Sequence, residues 1–131
     1  MARRILIVDD EPNIVDSLEF LMRGSDYEVR VARNGDEALR RAESFRPDLV
    51  LLDVMMPQRS GFEVCQKIRE NPALRDVKII MLTAKGSNAE RDRGLNFGAN
   101  AYVTKPFSTN ELMNTVRALL PASKVRDTGR R

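Results

Sequence analysis

Five residues able to do chemistry each stand at the end of an apolar run. Asp9 and Asp10 follow "ILIV" (5–8), Asp53 follows "LVLL" (49–52), Thr83 follows "KIIML" (78–82) and Lys105 follows "AYVT" (101–104). Read singly, each acid is an ordinary solvated turn residue. Brought together, three carboxylates repel one another and resist full ionisation, and a divalent cation relieves that repulsion. A site of oxygen ligands alone, in a chain without His, favours Mg²⁺, with Mn²⁺ as a substitute, over zinc. Lys105 is cationic and suits an arriving anionic oxygen, while Thr83 offers a hydroxyl beside the small residues Ala84 and Gly86. Metal, ammonium and hydroxyl around a carboxylate make a place to stabilise a transferred phosphoryl group, with Asp53 as nucleophile.

This grouping requires the four runs to be strands of one sheet. Between them lie segments of helical period. Pro12 precedes Ile14, Leu18 and Leu21, with Gly24 as a stop. "NGDEALRRAESF" (34–45) follows the alternating strand "EVRVA" (28–32). Gly61 opens a helix bearing Val64, Cys65 and Ile68, which ends before Asn71-Pro72. "SNAERDRGLNFG" (87–98) has a thin apolar face of Ala89, Leu95 and Phe97, interrupted by Gly94, and is expected to pack least firmly. "STNELMNTVRALL" (108–120) closes the series before Pro121. Alternating strands and helices predict an α/β fold: a three-layer, doubly wound (βα)5 arrangement, flavodoxin-like, with a parallel five-stranded sheet in the order 2-1-3-4-5. In such sheets sites form beyond the carboxyl ends of the strands, where all five residues fall.

The 131 residues suffice for one domain with a core. The longest apolar runs are four residues, so no membrane span is expected, and no secretory leader is read. Lone Cys65 fits a reducing cytoplasm. The net charge of +3 lies entirely in residues 122–131, which hold four basic residues and one acidic; positions 1–121 carry 18 of each sign. We therefore read 1–121 as the domain and 122–131 as a basic tail or linker remnant, and expect no nucleic-acid binding from the domain.

The pieces "ILIVDDEP", "DLVLLDVMMPQRSGFEV", "IIMLTA" and "GANAYVTKPF", in this order and spacing, resemble the receiver (response-regulator) domain of two-component signalling over roughly residues 3–120. The resemblance implies Asp53 as phosphoacceptor, Asp10 and Asp53 as direct metal ligands with the Met55 backbone carbonyl, and Asp9 acting through water. It implies Thr83 as a switch hydroxyl, Lys105 as a partner of the phosphoryl group, Tyr102 as an aromatic that moves with Thr83, and a cis Lys105–Pro106 bond. Met55 and Lys85 are candidates for tuning the phosphoryl lifetime, although Met55 and Met56 also read as plain packing residues.

The donor would be a sensor histidine kinase or a histidine phosphotransfer protein, since the chain has no His and no GxxxxGK[ST] loop. Output would pass through the fourth helix, fifth strand and fifth helix to a downstream protein or fused effector. Slow autodephosphorylation resets such a domain, which is a signalling switch and not an enzyme with external substrates. Asn100 and Ala101 replace an acidic pair that many DNA-binding relatives use against a basic residue such as Arg117, so a monomer or weak phosphorylation-linked dimer is expected. Other readings are a receiver-like adaptor that is never phosphorylated, a Mg²⁺-dependent aspartyl-phosphate phosphatase, and a flavin module. Met55 stands where such a phosphatase would place a second Asp, and "DDEP" is too acidic for a flavin phosphate loop.

Overall fold

A computed structural model describes residues 2–56, 59–84 and 88–120. Pro57, Lys85, Gly86, Pro121 and the basic tail lie outside the described residues. The elements are β1 (Arg4–Val8), α1 (Pro12–Gly24), β2 (Glu28–Ala32), α2 (Gly35–Phe45), β3 (Leu49–Asp53), α3 (Gly61–Glu70), a single 3₁₀ turn (Pro72–Leu74), β4 (Lys78–Thr83), α4 (Asn88–Asn96), β5 (Ala101–Thr104) and α5 (Thr109–Leu119). The strands form one sheet in the order β2-β1-β3-β4-β5, and every pairing is parallel.

The unbroken apolar run of β3 now has its cause. β3 pairs with β1 on one side and β4 on the other, and all five of its residues are buried. Alternate residues feed two cores. Leu6, Val8, Val50, Leu52, Ile79 and Met81 pack with α2 and α3, whereas Ile5, Ile7, Leu49, Leu51, Ile80 and Leu82 pack with α1 and α5. Full burial of each such side chain contributes about 2 kcal/mol. The register carries the ends of β1, β3, β4 and β5 to one edge, Asp53 pairing with Leu82 and Thr83 with Thr104.

Helix starts are fixed by side chains. Asn34, Ser60 and Ser108 accept from the backbone N–H groups of Glu37, Glu63 and Glu111 at 2.8, 3.3 and 3.1 Å, each cap stabilising its helix by about 1 kcal/mol. α1 begins at Pro12, whose missing N–H costs nothing there.

Two helix faces differ from the sequence expectation. In α1 the fully buried stripe is Val15, Leu18 and Met22, with Ile14 and Leu21 only half covered at its margin. In α4 the expected face of Ala89, Leu95 and Phe97 forms only at Phe97, which packs against the core just beyond the helix. Ala89 is exposed, Leu95 is 43% exposed, Phe97 is half-buried, and Gly94 is the one buried residue of the helix. Gly94 does not interrupt α4. It is where the helix backbone comes close to the sheet, since a Cβ there would lie 3.2 Å from the Tyr102 ring.

The carboxyl-terminal end of α4 is tied down separately. Arg69 of α3 donates to the Gly98 carbonyl at 2.9 Å, to Asn100 Oδ1 at 2.8 Å and to the Arg75 carbonyl at 3.1 Å. Asn100 Oδ1 also accepts from the Ile79 N–H at 2.8 Å, and the Asn100 N–H donates back to the Ile79 carbonyl at 2.8 Å.

Candidate functional site

Asp9 and Asp10 leave the end of β1 side by side and part company. Asp9 is 1% exposed, while Asp10 is open to solvent. The Asp9 Oδ1 atom accepts from the Glu11 N–H at 2.9 Å, which fixes the carboxylate against the start of α1. Asp53 closes β3 and is 4% exposed. Each of the three acids offers an oxygen such that all three atoms lie within 4.8 Å of one another. Lys105 Nζ sits against the buried pair, 2.9 Å from Asp9 Oδ2 and 3.3 Å from Asp53 Oδ1. The Lys105 N–H donates to the Thr83 carbonyl at 2.6 Å, and the Lys105–Pro106 bond is cis.

Burial pushes the Asp53 carboxyl up to about 6, and the Asp9 charge adds to it. Lys105 and the Met55 backbone N–H, which donates to the carboxylate, pull the other way without cancelling the rise. Crowding by like charge is thus real but second to desolvation. Burial lowers the Lys105 ammonium, yet the Asp9 hydrogen bond and the two carboxylate charges leave it above its ordinary range. One ammonium for three acids leaves the cluster short of positive charge. Hard oxygen donors, two of them buried and one wet, fit Mg²⁺, which prefers carboxylates and retains waters.

The backbone beneath this site has little freedom. The Val54 N–H donates to the Leu82 carbonyl at 2.9 Å and the Gly61 N–H to the Val54 carbonyl at 2.9 Å. A Cβ on Gly61 would stand 2.2 Å from the Asp53 carbonyl oxygen, so only glycine lets α3 start here. The Met55 side chain is 62% exposed beside the acids, and Met56 packs against the core.

Thr83 is fully buried at the end of β4, and Tyr102 is buried in β5 with its ring turned into the core. Both hydroxyls donate to Glu90 Oε1 of α4, Thr83 at 2.7 Å. Burial first, and the Glu90 hydrogen bond second, push the Tyr102 phenol up to about 12. Glu90 was not legible as a site residue. An acid in the first turn of a helix reads as a favourable dipole contact, and only its place seven residues beyond Thr83 hints at more. Of the neutral pair Asn100 and Ala101, Asn100 Oδ1 is engaged by Arg69 and Ile79, and Arg117 donates to Asn114 Oδ1 at 2.8 Å.

The sheet order and a cluster of acids at the ends of β1 and β3 define a class of phosphoryl-receiving switch, and comparison with known proteins gives the family. The model of the response regulator receiver domain matches residues 5–117, and the chain belongs to that family. It is 43% identical over 125 residues to the alkaline phosphatase synthesis transcriptional regulatory protein PhoP of Bacillus subtilis (strain 168), covering 95% of this chain and 51% of the relative. The chain therefore spans about half the length of that curated relative. Among solved structures, it resembles the chemotaxis protein CheY4 of Vibrio cholerae with a TM-score of 0.87 at 32% identity, over 92% of this chain and 100% of the other. It also resembles the receiver domain of the sensor histidine kinase PA1611 from Pseudomonas aeruginosa PAO1, a structure with a magnesium ion coordinated in the active-site cleft. The TM-score there is 0.83 at 33% identity, over 91% and 98% of the two chains. The protein is thus a receiver domain of two-component response regulators, a signalling switch with an acidic cluster that fits Mg²⁺ and phosphoaspartate. No helix among the described residues is long and apolar enough to cross a membrane.

Proposed function

We propose that Asp53 accepts a phosphoryl group from the phosphohistidine of a sensor histidine kinase or histidine phosphotransfer protein. The observation that carries this reading is a buried carboxylate, raised to about 6, set against Lys105 and within 4.8 Å of oxygens of Asp9 and Asp10. An Asp53 oxygen attacks phosphorus, the N–P bond breaks, and its electron pair returns to the donor imidazole. Lys105 stands 3.3 Å from Asp53 Oδ1 and can meet the anionic oxygens that arrive there. Asp10, Asp53 and the Met55 carbonyl would hold Mg²⁺, or Mn²⁺ as a substitute, with Asp9 acting through water. The bound cation supplies positive charge that neutralises the transferred group. Water later attacks phosphorus, the bond from phosphorus to the Asp53 oxygen breaks, and inorganic phosphate leaves the free carboxylate behind. Met55, exposed beside the acids, tunes the rate of that step, and Lys85, two residues beyond Thr83 in sequence, is a second candidate.

The donor reaches Asp53 past an open groove of about 390 Å³ lined by Ile14, Phe20, Leu21, Lys105, Pro106 and Phe107. Phe20 is 80% exposed, and Lys105 lines both groove and site, so a helix carrying the phosphohistidine would seat here with its imidazole at the acids. Thr83 and Tyr102 then read the new charge and bias the surface of α4, β5 and α5 toward a downstream protein or a fused effector. With Asn100 and Arg117 engaged internally, that surface supports a monomer or a weak phosphorylation-linked dimer. Residues 1–121 form the receiver, and 122–131 lead on as a linker, in a protein of the cytoplasm.

The test is intact mass after incubation with Mg²⁺ and a small phosphodonor. One added phosphoryl group is expected, absent from Asp53→Asn and absent after chelation. A folded protein that gains no mass would leave a receiver-like adaptor as the better account.

A further inference from the structure

Arg59 lies four residues beyond Met55, between β3 and α3, and phosphoryl transfer gives it no part. Its side chain is nevertheless fixed along its length. Nε donates to Asp36 Oδ1 in the first turn of α2 at 3.0 Å, and Nη1 donates to Glu63 Oε2 in the first turn of α3 at 2.6 Å. The aliphatic stem runs across Gly35, where a Cβ would lie 2.8 Å from Arg59 Cβ, 2.9 Å from Arg59 Cδ and 3.0 Å from Val64 Cγ2. A lone surface ion pair contributes little. Here two acids share one guanidinium, and the stem has a seat that only glycine leaves open. The acids are themselves placed by capped helices, since Asn34 accepts from the Glu37 N–H and Ser60 from the Glu63 N–H.

The consequence falls on Met55. Its N–H donates to the Asp53 carboxylate, and the Gly61 N–H closes the chain onto the Val54 carbonyl at 2.9 Å. The Met55 side chain is 62% exposed and offers no anchor of its own. Arg59 supplies one from the far side.

We propose that Arg59 is a positioning residue for the metal: by tying the chain at residue 59 to α2 and α3, it holds the Met55 carbonyl ready for a divalent cation shared with Asp10 and Asp53. The proposal rests on the Met55 carbonyl being a metal ligand. Mg²⁺ demands near-octahedral geometry, so a carbonyl placed in advance adds affinity that a wandering one does not. Charge alone predicts the opposite. Removing the Arg59 cation would free two carboxylates and draw a divalent ion in more strongly. The sign of the effect therefore separates position from charge.

Two measurements decide it: Mg²⁺ binding by calorimetry, and residue-resolved amide exchange at Met55 in the metal-free protein. Arg59→Ala should bind Mg²⁺ about tenfold more weakly, the lower end of what outer partners of metal ligands cost, and its Met55 amide should exchange about tenfold faster. Arg59→Lys keeps a cation for the two acids and should recover part of both. Gly35→Ala leaves Arg59 in the chain but evicts its stem, and should move both readouts in the same direction. Arg40→Ala takes the same charge from an exposed position of α2, and should neither weaken Mg²⁺ binding nor alter the Met55 amide.

The proposal is overturned if Arg59→Ala binds Mg²⁺ as tightly as the wild type or more tightly, if its Met55 amide keeps the wild-type rate, or if Arg40→Ala reproduces its effects. Should the wild type itself take up no Mg²⁺, the metal reading fails, and the Met55 amide alone decides whether Arg59 fixes this stretch.

Discussion

The carboxyl end of β3 and the helix α4 meet at the same edge of the sheet and are built in opposite ways. β3 is buried along its whole length, paired on both sides, and locked to α3 through Val54 and Gly61. α4 presents one buried glycine to the core and leans on hydroxyl–carboxylate bonds. The first region is fixed by apolar burial and by backbone approach too close for any side chain. The second is held by polar contacts and by the close approach of Gly94 to the Tyr102 ring, with Phe97 packed just beyond its last turn. The acids sit on the firmly buried region, and the thinly packed helix is where a small free-energy change could most easily shift structure.

The contrast is broken most severely at Gly61. Gly61→Ala sets a methyl 2.2 Å from a backbone oxygen, where no flexible side chain can yield. We expect a loss of about 4 kcal/mol or outright misfolding, read from urea melts. Next is Lys105→Met, which strips the cation from two buried carboxylates. A loss of about 3 kcal/mol at neutral pH is expected, partly restored by Mg²⁺. Melts of equal midpoint with and without Lys105 would show that the pair is already neutralised by other means.

A pH series sharpens the same point. Asp53 is raised from 3.8 to about 6 in the folded, metal-free protein. The native state thus holds its proton where the unfolded chain has lost it. Stability present below the unfolded value is lost as pH rises through the folded one, by about 3 kcal/mol. Asp53→Asn should flatten that fall and be the more stable protein above pH 6. The smallest effect belongs to α4. Gly94→Ala meets the Tyr102 ring at 3.2 Å and gains helix propensity, so its stability should stay within about 1 kcal/mol of wild type. A cost matching that of Gly61→Ala would erase the distinction between the two regions.

Much of this was legible in the sequence because burial writes itself in apolar runs. "LVLL" implied a strand covered on both faces, and the residues after each run marked one edge of the sheet, so Asp9, Asp10, Asp53, Thr83 and Lys105 could be placed together before any coordinates. What stayed hidden has no periodic signature. Glu90 accepts from two hydroxyls brought near by strand pairing, and Gly61 matters through a backbone approach that composition does not record. The α4 face was misjudged because Leu95 suggests a core residue, whereas within the helix the contact is made by the absence of a side chain at Gly94.

The brace formed by Arg69 has a mechanical consequence. It grips the Gly98 carbonyl and Asn100 just beyond the last turn of α4, and Asn100 is itself pinned to Ile79. Toward its other end the helix is joined to the sheet through Glu90, which accepts from Thr83 and Tyr102. A rod gripped firmly at one end turns about the grip more readily than it slides. Any displacement of α4 should therefore be least at Asn100 and grow toward Asn88.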